Sequence, residues 1–161
     1  MRIVVADPDS CVACRNCEYA CAFEQSRDFQ RNASNIRVSF YPVDRACVPL
    51  TCMHCADAWC LEVCPAGAIA RNEETGAVEI DAGRCAGCKM CMLACPFGHI
   101  SYDVAEGVSR KCDLCGGDPR CVGSCTSGAL QYVDVQEAFD FRREALDARL
   151  RRVLRLDRRG T

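Results

Sequence analysis

Sixteen of the chain's seventeen cysteines fall into four runs of four, and thiolates so spaced are suited above all to binding iron. The runs are Cys11-x2-Cys14-x2-Cys17-x3-Cys21, Cys52-x2-Cys55-x4-Cys60-x3-Cys64, Cys85-x2-Cys88-x2-Cys91-x3-Cys95 and Cys112-x2-Cys115-x5-Cys121-x3-Cys125. The first and third have the spacing that holds [4Fe–4S] clusters; the second and fourth are widened between their second and third cysteines. Four runs of four thiolates suffice for four [4Fe–4S] clusters and leave Cys47 over. The chemistry expected is electron transfer.

The spacing has a physical reason. A two-residue gap lets the chain wrap one corner of a cluster, so that three successive thiolates reach three irons while backbone N–H groups face the sulfurs. The fourth cysteine lies a turn further on, faces away, and in two-cluster ferredoxins ligates the other cluster. Such runs therefore come in pairs. Structural zinc would use two C-x2-C pairs closed tetrahedrally and would leave the third cysteine of a run without a role. A disulfide framework would suit a small exported chain, against which stand the odd count and the lack of an export signal.

The elements that must position these runs are short. Arg2 to Ala6, Ile36 to Phe40, Val78 to Ile80, Ile100 to Tyr102 and Leu130 to Val133 read as brief strands rich in β-branched or aromatic residues. Stretches between the last two cysteines of a run, such as Met92-Leu93-Ala94, read as the starts of helices whose positive ends favour anions. Cys64-Pro65-Ala66-Gly67-Ala68-Ile69, Cys95-Pro96-Phe97-Gly98-His99-Ile100 and Cys125-Thr126-Ser127-Gly128-Ala129-Leu130 repeat one pattern, C-x-x-G-x-apolar. The first continues through a turn-rich tip, Asn72 to Gly76, into Val78 and the third run. Residues 49–103 then form one two-cluster unit, and the first and fourth runs pair across it.

At 161 residues the chain is one compact unit or two small modules. Cysteine is about a tenth of it, while Leu, Ile, Val and Phe together stand near the roughly 20% level below which packed cores become doubtful. Bound clusters would then be part of the core, and the cluster-free chain should be largely unfolded. The formal charge of −2 counts cysteine as neutral; four ligated clusters would add about −8. With no basic patch on the cysteine region, nucleic acid is excluded as a partner. All the basic residues except Lys89 and Lys111 are arginine, which suits fixed contacts with a protein partner. No stretch approaches the roughly 20 apolar residues of a membrane span, and the start lacks a signal peptide, so the expected location is cytoplasmic.

Three segments carry a family resemblance: Thr51-Cys52-Met53-His54-Cys55 through Cys64-Pro65, Arg84-Cys85-Ala86-Gly87-Cys88-Lys89 through Pro96-Phe97-Gly98, and Arg110-Lys111-Cys112-Asp113-Leu114-Cys115. Over roughly residues 1 to 134 the chain resembles the four-cluster iron–sulfur subunits of the dimethyl sulfoxide reductase type. That resemblance implies an α+β fold of two bacterial-ferredoxin-like modules, one inserted in the other. The outer would be residues 1–48 with 104–134, the inner 49–103, and an Arg-rich amphipathic helix would occupy 135–161. It implies swapped ligation in four groups: Cys11, Cys14, Cys17 with Cys125; Cys21 with Cys112, Cys115, Cys121; Cys52, Cys55, Cys60 with Cys95; Cys64 with Cys85, Cys88, Cys91. Cys125-Thr126 departs from the family's Cys-Pro. The compact segment Cys112-Asp113-Leu114-Cys115-Gly116-Gly117-Asp118-Pro119 looks like the small polyferredoxin subunits that accompany tungsten-pterin aldehyde oxidoreductases and benzoyl-CoA reductases.

The resemblance thus implies an electron-transfer subunit and no catalytic residues of its own. Its partners would be a tungsten- or molybdenum-pterin catalytic subunit and a flavin- or NAD-binding subunit or ferredoxin, with self-association into a longer wire as a further expectation. The alternative partners are a hydrogenase, a formate dehydrogenase or a carbon monoxide dehydrogenase. A stand-alone enzyme would need a cluster with an open iron, and sixteen cysteines leave none; a sensor would not need four clusters.

Outside the ligand set, Cys47 reads as a small buried hydrophobe, and Trp59 as a cover over a cluster. His54 reads either as a packing histidine or as an N–H donor to a cluster sulfur. His99 reads as a turn or surface residue. Lys89 and the Arg110-Lys111 pair read as charge balance or as tuning of potential. Phe139, Leu146, Leu150 and Val153 share a helix face among Arg142, Arg143, Arg149, Arg151, Arg152 and Arg155. That face is expected to pack on the protein's own body or to dock a partner.

Overall fold

The computed structural model describes residues 1–154. Eight strands form four separate two-stranded antiparallel ribbons, and the cysteines sit on the loops and helix starts between them. The strands are β1 Arg2–Ala6, β2 Arg37–Tyr41, β3 Ala46–Leu50, β4 Ile69–Arg71, β5 Val78–Ile80, β6 Ile100–Asp103, β7 Val108–Lys111 and β8 Leu130–Asp134. The α-helices are α1 Asn16–Ser26, α2 Trp59–Glu62, α3 Met90–Ala94, α4 Arg120–Gly123 and α5 Val135–Leu154. All five expected strands are present, within a residue or so at each end.

The β-branched run of β1 pairs with β8 from the other end of the cysteine region, Ile3 opposite Val133 and Val5 opposite Gln131. Alternation along β1 sends its side chains to two faces. Val4 packs with Ile36, Val38, Leu114, Leu130 and four buried cysteines in the main core, whereas Ile3 and Val5 pack against Ala138 of α5. A second core of Ala58, Ile69, Val78, Cys91 and Ile100 joins the β4–β5 ribbon to α2 and α3.

Three strands escaped the sequence reading. β3 contains Pro49, which cannot donate to a ladder, yet it pairs opposite Val38 in a two-stranded ribbon where only one side must bond. β4 is three residues long, and β7 (Val-Ser-Arg-Lys) is mostly polar. Both are set by their hairpin tips. At one, the Asn72 side chain accepts the N–H groups of Glu74 and Thr75; at the other, Asp103 accepts those of Ala105 and Glu106.

Among the described side chains of α5, those that pack are at its start. Ala138 is buried, but Phe139, Leu146, Leu150 and Val153 are exposed. The expected apolar face therefore does not lie on the protein's own body. Arg143 and Arg151 are exposed, Arg151 pairing with Asp147 at 2.6 Å. The side chains of Arg142, Arg149 and Arg152, and residues 155–161, lie outside the described residues.

Candidate iron–sulfur sites

The residue immediately before the second cysteine of every run is left-handed. Ala13, His54, Gly87 and Leu114 have φ of 55°, 44°, 66° and 57°. Only one of the four is glycine, so the loops hold a conformation that costs an ordinary residue roughly 1–2 kcal/mol. A left-handed residue within such a turn makes successive backbone N–H groups converge on one concavity, a geometry suited to anions and iron–sulfur sites. The first, third and fourth runs have a further left-handed residue directly after that second cysteine, Arg15, Lys89 and Gly116 with φ of 62°, 64° and 66°.

Helix starts are equally regular. The third cysteine of each run (Cys17, Cys60, Cys91, Cys121) is the second residue of a helix, where N–H groups lack intrahelical partners. The helices thus begin a residue before the third cysteine rather than after it. α2, α3 and α4 end within a turn because the C-x-x-G repeat follows. Gly67, Gly98 and Gly128 each donate to the carbonyl of the preceding fourth cysteine, at 3.1, 3.2 and 3.2 Å. These glycines have φ of 56°, 66° and 70°, which is why the repeat keeps a glycine there. The turn aims the next N–H at sulfur: Ala68 donates to Cys64 Sγ at 3.3 Å and His99 to Cys95 Sγ at 3.4 Å. The first run has no such turn, and α1 continues for 11 residues. Cys21 Sγ instead accepts the N–H of Asn35 at 3.3 Å, from the approach to β2.

The thiols gather in sets. Cys52, Cys55, Cys60 and Cys95 line one void of about 400 Å³, and Cys64, Cys85, Cys88 and Cys91 line another of about 320 Å³, openings to solvent included. Around α1 and α4, Cys125 is close enough to Cys11 and Cys17 to oppose their ionisation, and Cys21 stands likewise to Cys115 and Cys121. Cys112 neighbours both Cys121 and Cys52, which brings these two regions together. Among the described residues no three Cys, His, Asp or Glu side chains converge tightly enough to hold a single ion. The thiols stand around spaces rather than on points.

Their electrostatics call for cations. Burial pushes Cys17 up to about 12, Glu18, Cys125 and Cys11 adding to it against the Glu18 N–H. Burial, then Cys21, Cys115 and Cys17, push Cys121 up to about 12. Burial also raises Cys115 to about 11 and Cys112 well above the usual thiol range. Cys125 goes the other way: burial alone would raise it, but the Ser127 hydroxyl and the N–H groups of Leu130, Ala129 and Ser127 hold it below. Sulfurs kept protonated by burial and by one another ionise when iron arrives, so binding releases protons.

The family model described as a 4Fe-4S dicluster domain matches residues 43–135, more than half of the chain. The chain belongs to that family. The match spans the second to fourth runs; the first, from Cys11 to Cys21, precedes it. Among curated proteins this dicluster chain is 39% identical over 122 residues to the polyferredoxin-like subunit of an aliphatic sulfonate oxidoreductase of Pyrococcus furiosus, covering 76% of this chain and 70% of the relative. It is 33% identical over 141 residues to subunit beta of an NADH-dependent phenylglyoxylate dehydrogenase of Aromatoleum evansii, which covers 85% of this chain but only 31% of that longer relative. Among solved structures, a chain of the active-site complex BamBC of benzoyl coenzyme A reductase matches with TM-score 0.50 at 24% identity, over 92% of this chain and 90% of that one. That likeness is one of fold, a small mixed helix-and-strand protein of ferredoxin-like type.

The remaining residues of this dicluster protein fall into place around the voids. Cys47 is buried in the main core on β3, as a small hydrophobe would be. Trp59 lines the Cys52 void yet is 66% exposed, so it covers the void with one edge only. Lys89 places its ammonium 4.1 Å from the centre of the Tyr102 ring, beside the Cys64 void. Arg110 pairs with Asp103 across the β6–β7 ribbon. Lys111 points inward and is buried. His99 is not a plain surface residue: it is half-buried, lines the Cys52 void and stacks on Phe97.

Asn35 and Ser109 were invisible to sequence reasoning. Ser109 is buried on β7, lines the Cys64 void, and donates its N–H to Cys85 Sγ at 3.5 Å. Each lies far in sequence from the thiol it meets, in a segment without cysteine. No local signal marks it.

Proposed function

We propose that this chain is the electron-transfer subunit of an oxidoreductase complex and binds four [4Fe–4S] clusters through the sixteen cysteines of its four runs. The reading rests most on one observation, the two voids each lined by four thiols drawn from two different runs. A cubane needs thiolates spread around its corners, whereas zinc needs them on one point. The ligand groups proposed are Cys11, Cys14, Cys17 with Cys125; Cys21 with Cys112, Cys115, Cys121; Cys52, Cys55, Cys60 with Cys95; and Cys64 with Cys85, Cys88, Cys91. The left-handed residue common to all four loops supports equal treatment of the first and fourth runs.

Bound clusters would supply reversible one-electron storage. The chain's own contribution is to hold sixteen thiolates, direct N–H groups at them, and order the sites. The closeness of Cys112 to Cys52 supports a path from the Cys64 group through the Cys52 and Cys112 groups to the Cys11 group. Pairing of β1 with β8 supports an outer module of 1–48 with 104–134 around an inner module of 49–103.

The catalytic partner proposed is a tungsten- or molybdenum-pterin subunit of the dimethyl sulfoxide reductase or aldehyde oxidoreductase kind. Support comes from the compact Cys112–Pro119 segment and from the Pyrococcus relative, a polyferredoxin-like subunit of an oxidoreductase. The Aromatoleum relative, a subunit of an NADH-dependent enzyme, favours a nicotinamide-linked protein at the other end of the path. Anaerobic purification of the native complex tests all of this. About sixteen irons and sixteen sulfides per chain, with a pterin metal in a co-eluting subunit, are expected. Fewer than three clusters per chain would overturn the ligand assignment, and a partner without pterin would overturn the partner.

A further inference from the structure

His54 is almost fully buried, and its two ring nitrogens are in different situations. Nδ1 accepts the backbone N–H of Val78 at 3.0 Å. A nitrogen that accepts carries no proton, so in the neutral ring the hydrogen is on Nε2. Nε2 is itself buried and has no hydrogen-bond partner among the described residues. A buried N–H left unpaired is unfavourable. The ring lines the void surrounded by Cys52, Cys55, Cys60 and Cys95.

The loops supply an independent comparison. His54 occupies the left-handed position that Ala13, Gly87 and Leu114 occupy in the other three runs. Leu114 is just as buried; its side chain only packs, and its backbone N–H donates to Cys112 Sγ at 3.4 Å. A residue needed only to fill space or to turn the chain need not be polar there, as its three counterparts show. His54 alone of the four brings a side-chain hydrogen-bond donor from this position.

We propose that His54 donates its Nε2 hydrogen to a sulfur of the cluster held by Cys52, Cys55, Cys60 and Cys95, and by doing so raises that cluster's reduction potential; this rests on the ligand assignment proposed above. Reduction adds one negative charge to an already anionic group, so a donor fixed at its sulfur favours the reduced form over the oxidised. His54 is a positioning residue in this account: it ligates no iron and moves no proton. Its orientation is held from behind by Val78, so little reorganisation accompanies electron arrival.

Two substitutions separate the two nitrogens. His54→Asn keeps a short acceptor for Val78 and tolerates a left-handed backbone, but removes the far donor. His54→Gln carries its amide N–H further out, toward the Nε2 position. In redox titrations of the holo-protein followed by electron paramagnetic resonance, His54→Asn should lower the reduced-to-oxidised ratio of one cluster about tenfold at fixed potential, which is 59 mV for one electron. His54→Gln should recover most of that shift. A purely structural histidine predicts the reverse order, with Asn near wild type and Gln displaced.

A measurement that keeps His54 stands beside these. In a His99→Leu background with histidine labelled by 15N in the ring only, electron–nuclear double resonance should show one ring 15N coupled to a reduced cluster. A wild-type titration curve in His54→Asn with full iron content would overturn the proposal, as would absence of that 15N coupling. If His54→Asn fails to take up iron, the coupling alone decides. Lack of iron and sulfide in the wild-type protein would instead overturn the ligand assignment, so the two failures are distinguishable.

Discussion

Lys111 donates from its ammonium to the backbone carbonyl of Val78, 33 residues earlier in the chain. The same ammonium donates to the carbonyl of Cys112 at 3.1 Å, and the same Val78 donates its N–H to His54. A buried cation therefore sits beside Cys60 of one thiol set and Cys112 of the next, close enough to favour ionisation of both. Lysine side chains are rarely this buried, and two carbonyl acceptors in a region crowded with thiolates explain this one.

Replacing Lys111 with Met should lower the midpoint potentials of two clusters together. At about 8 Å and an effective dielectric near 20 the lost attraction is roughly 2 kcal/mol, or tens of millivolts per electron. A redox titration resolving the individual clusters checks this. Equal shifts in all four, or none, would deny the lysine its place between two sites.

Gly87 is the one glycine among the four left-handed positions, and its surroundings say why. A Cβ there would stand 2.4 Å from the carbonyl oxygen of Gly107, at a φ of +66°. Gly87→Ala should destabilise the holo-protein by about 2 kcal/mol or more, combining left-handed strain with a backbone clash. Ala13→Gly, at the matching position of the first run, should be neutral or slightly stabilising. Thermal unfolding of the two variants gives the comparison.

Cys125→Ser tests whether ligands are exchanged between runs. The serine should remove or alter the cluster of Cys11, Cys14 and Cys17 while leaving that of Cys112, Cys115 and Cys121 in place, with a loss of up to about four irons per chain. Loss of the latter cluster instead would mean that each run fills its own site. Iron content with resonance spectra of the reduced protein distinguishes the two outcomes.

Removal of iron should collapse the fold. The main core counts Cys17, Cys21, Cys47 and Cys121 among ten buried residues, and few large aliphatic side chains stand behind them. Without iron, the thiols of Cys17 and Cys121, raised to about 12, would be protonated. Chelation under anaerobic conditions should abolish the cooperative thermal transition seen by circular dichroism. A sharp transition in the iron-free chain would show that the aliphatic residues suffice.

Much of the site was legible in the sequence because cysteine spacing encodes local wrapping directly. The C-x-x-G repeat even marked the turns that aim Ala68 and His99 at sulfur. What stayed hidden depends on contacts between distant segments. Nothing beside His54 indicates that Val78 will take one of its nitrogens, and nothing in the polar string Val108–Lys111 says that Ser109 and Lys111 face inward. β3 was obscured by Pro49, a residue that argues against strands except in ribbons of this kind. The spacing of Phe139, Leu146, Leu150 and Val153 identified a helix correctly but not what its apolar side would meet; in the chain by itself it meets solvent.

The pairing of β1 with β8 also sets a timetable. Arg2 lies opposite Asp134, so β1, once made, waits for β8 before it can pair. Cys11 to Cys21 are made early and reach Cys112 to Cys125 late, while Cys52 to Cys95 can meet one another in between. Assembly factors that deliver iron and sulfide should therefore find the middle of the nascent chain receptive before its beginning. Chains stalled at successive lengths and assayed for bound iron would show that order.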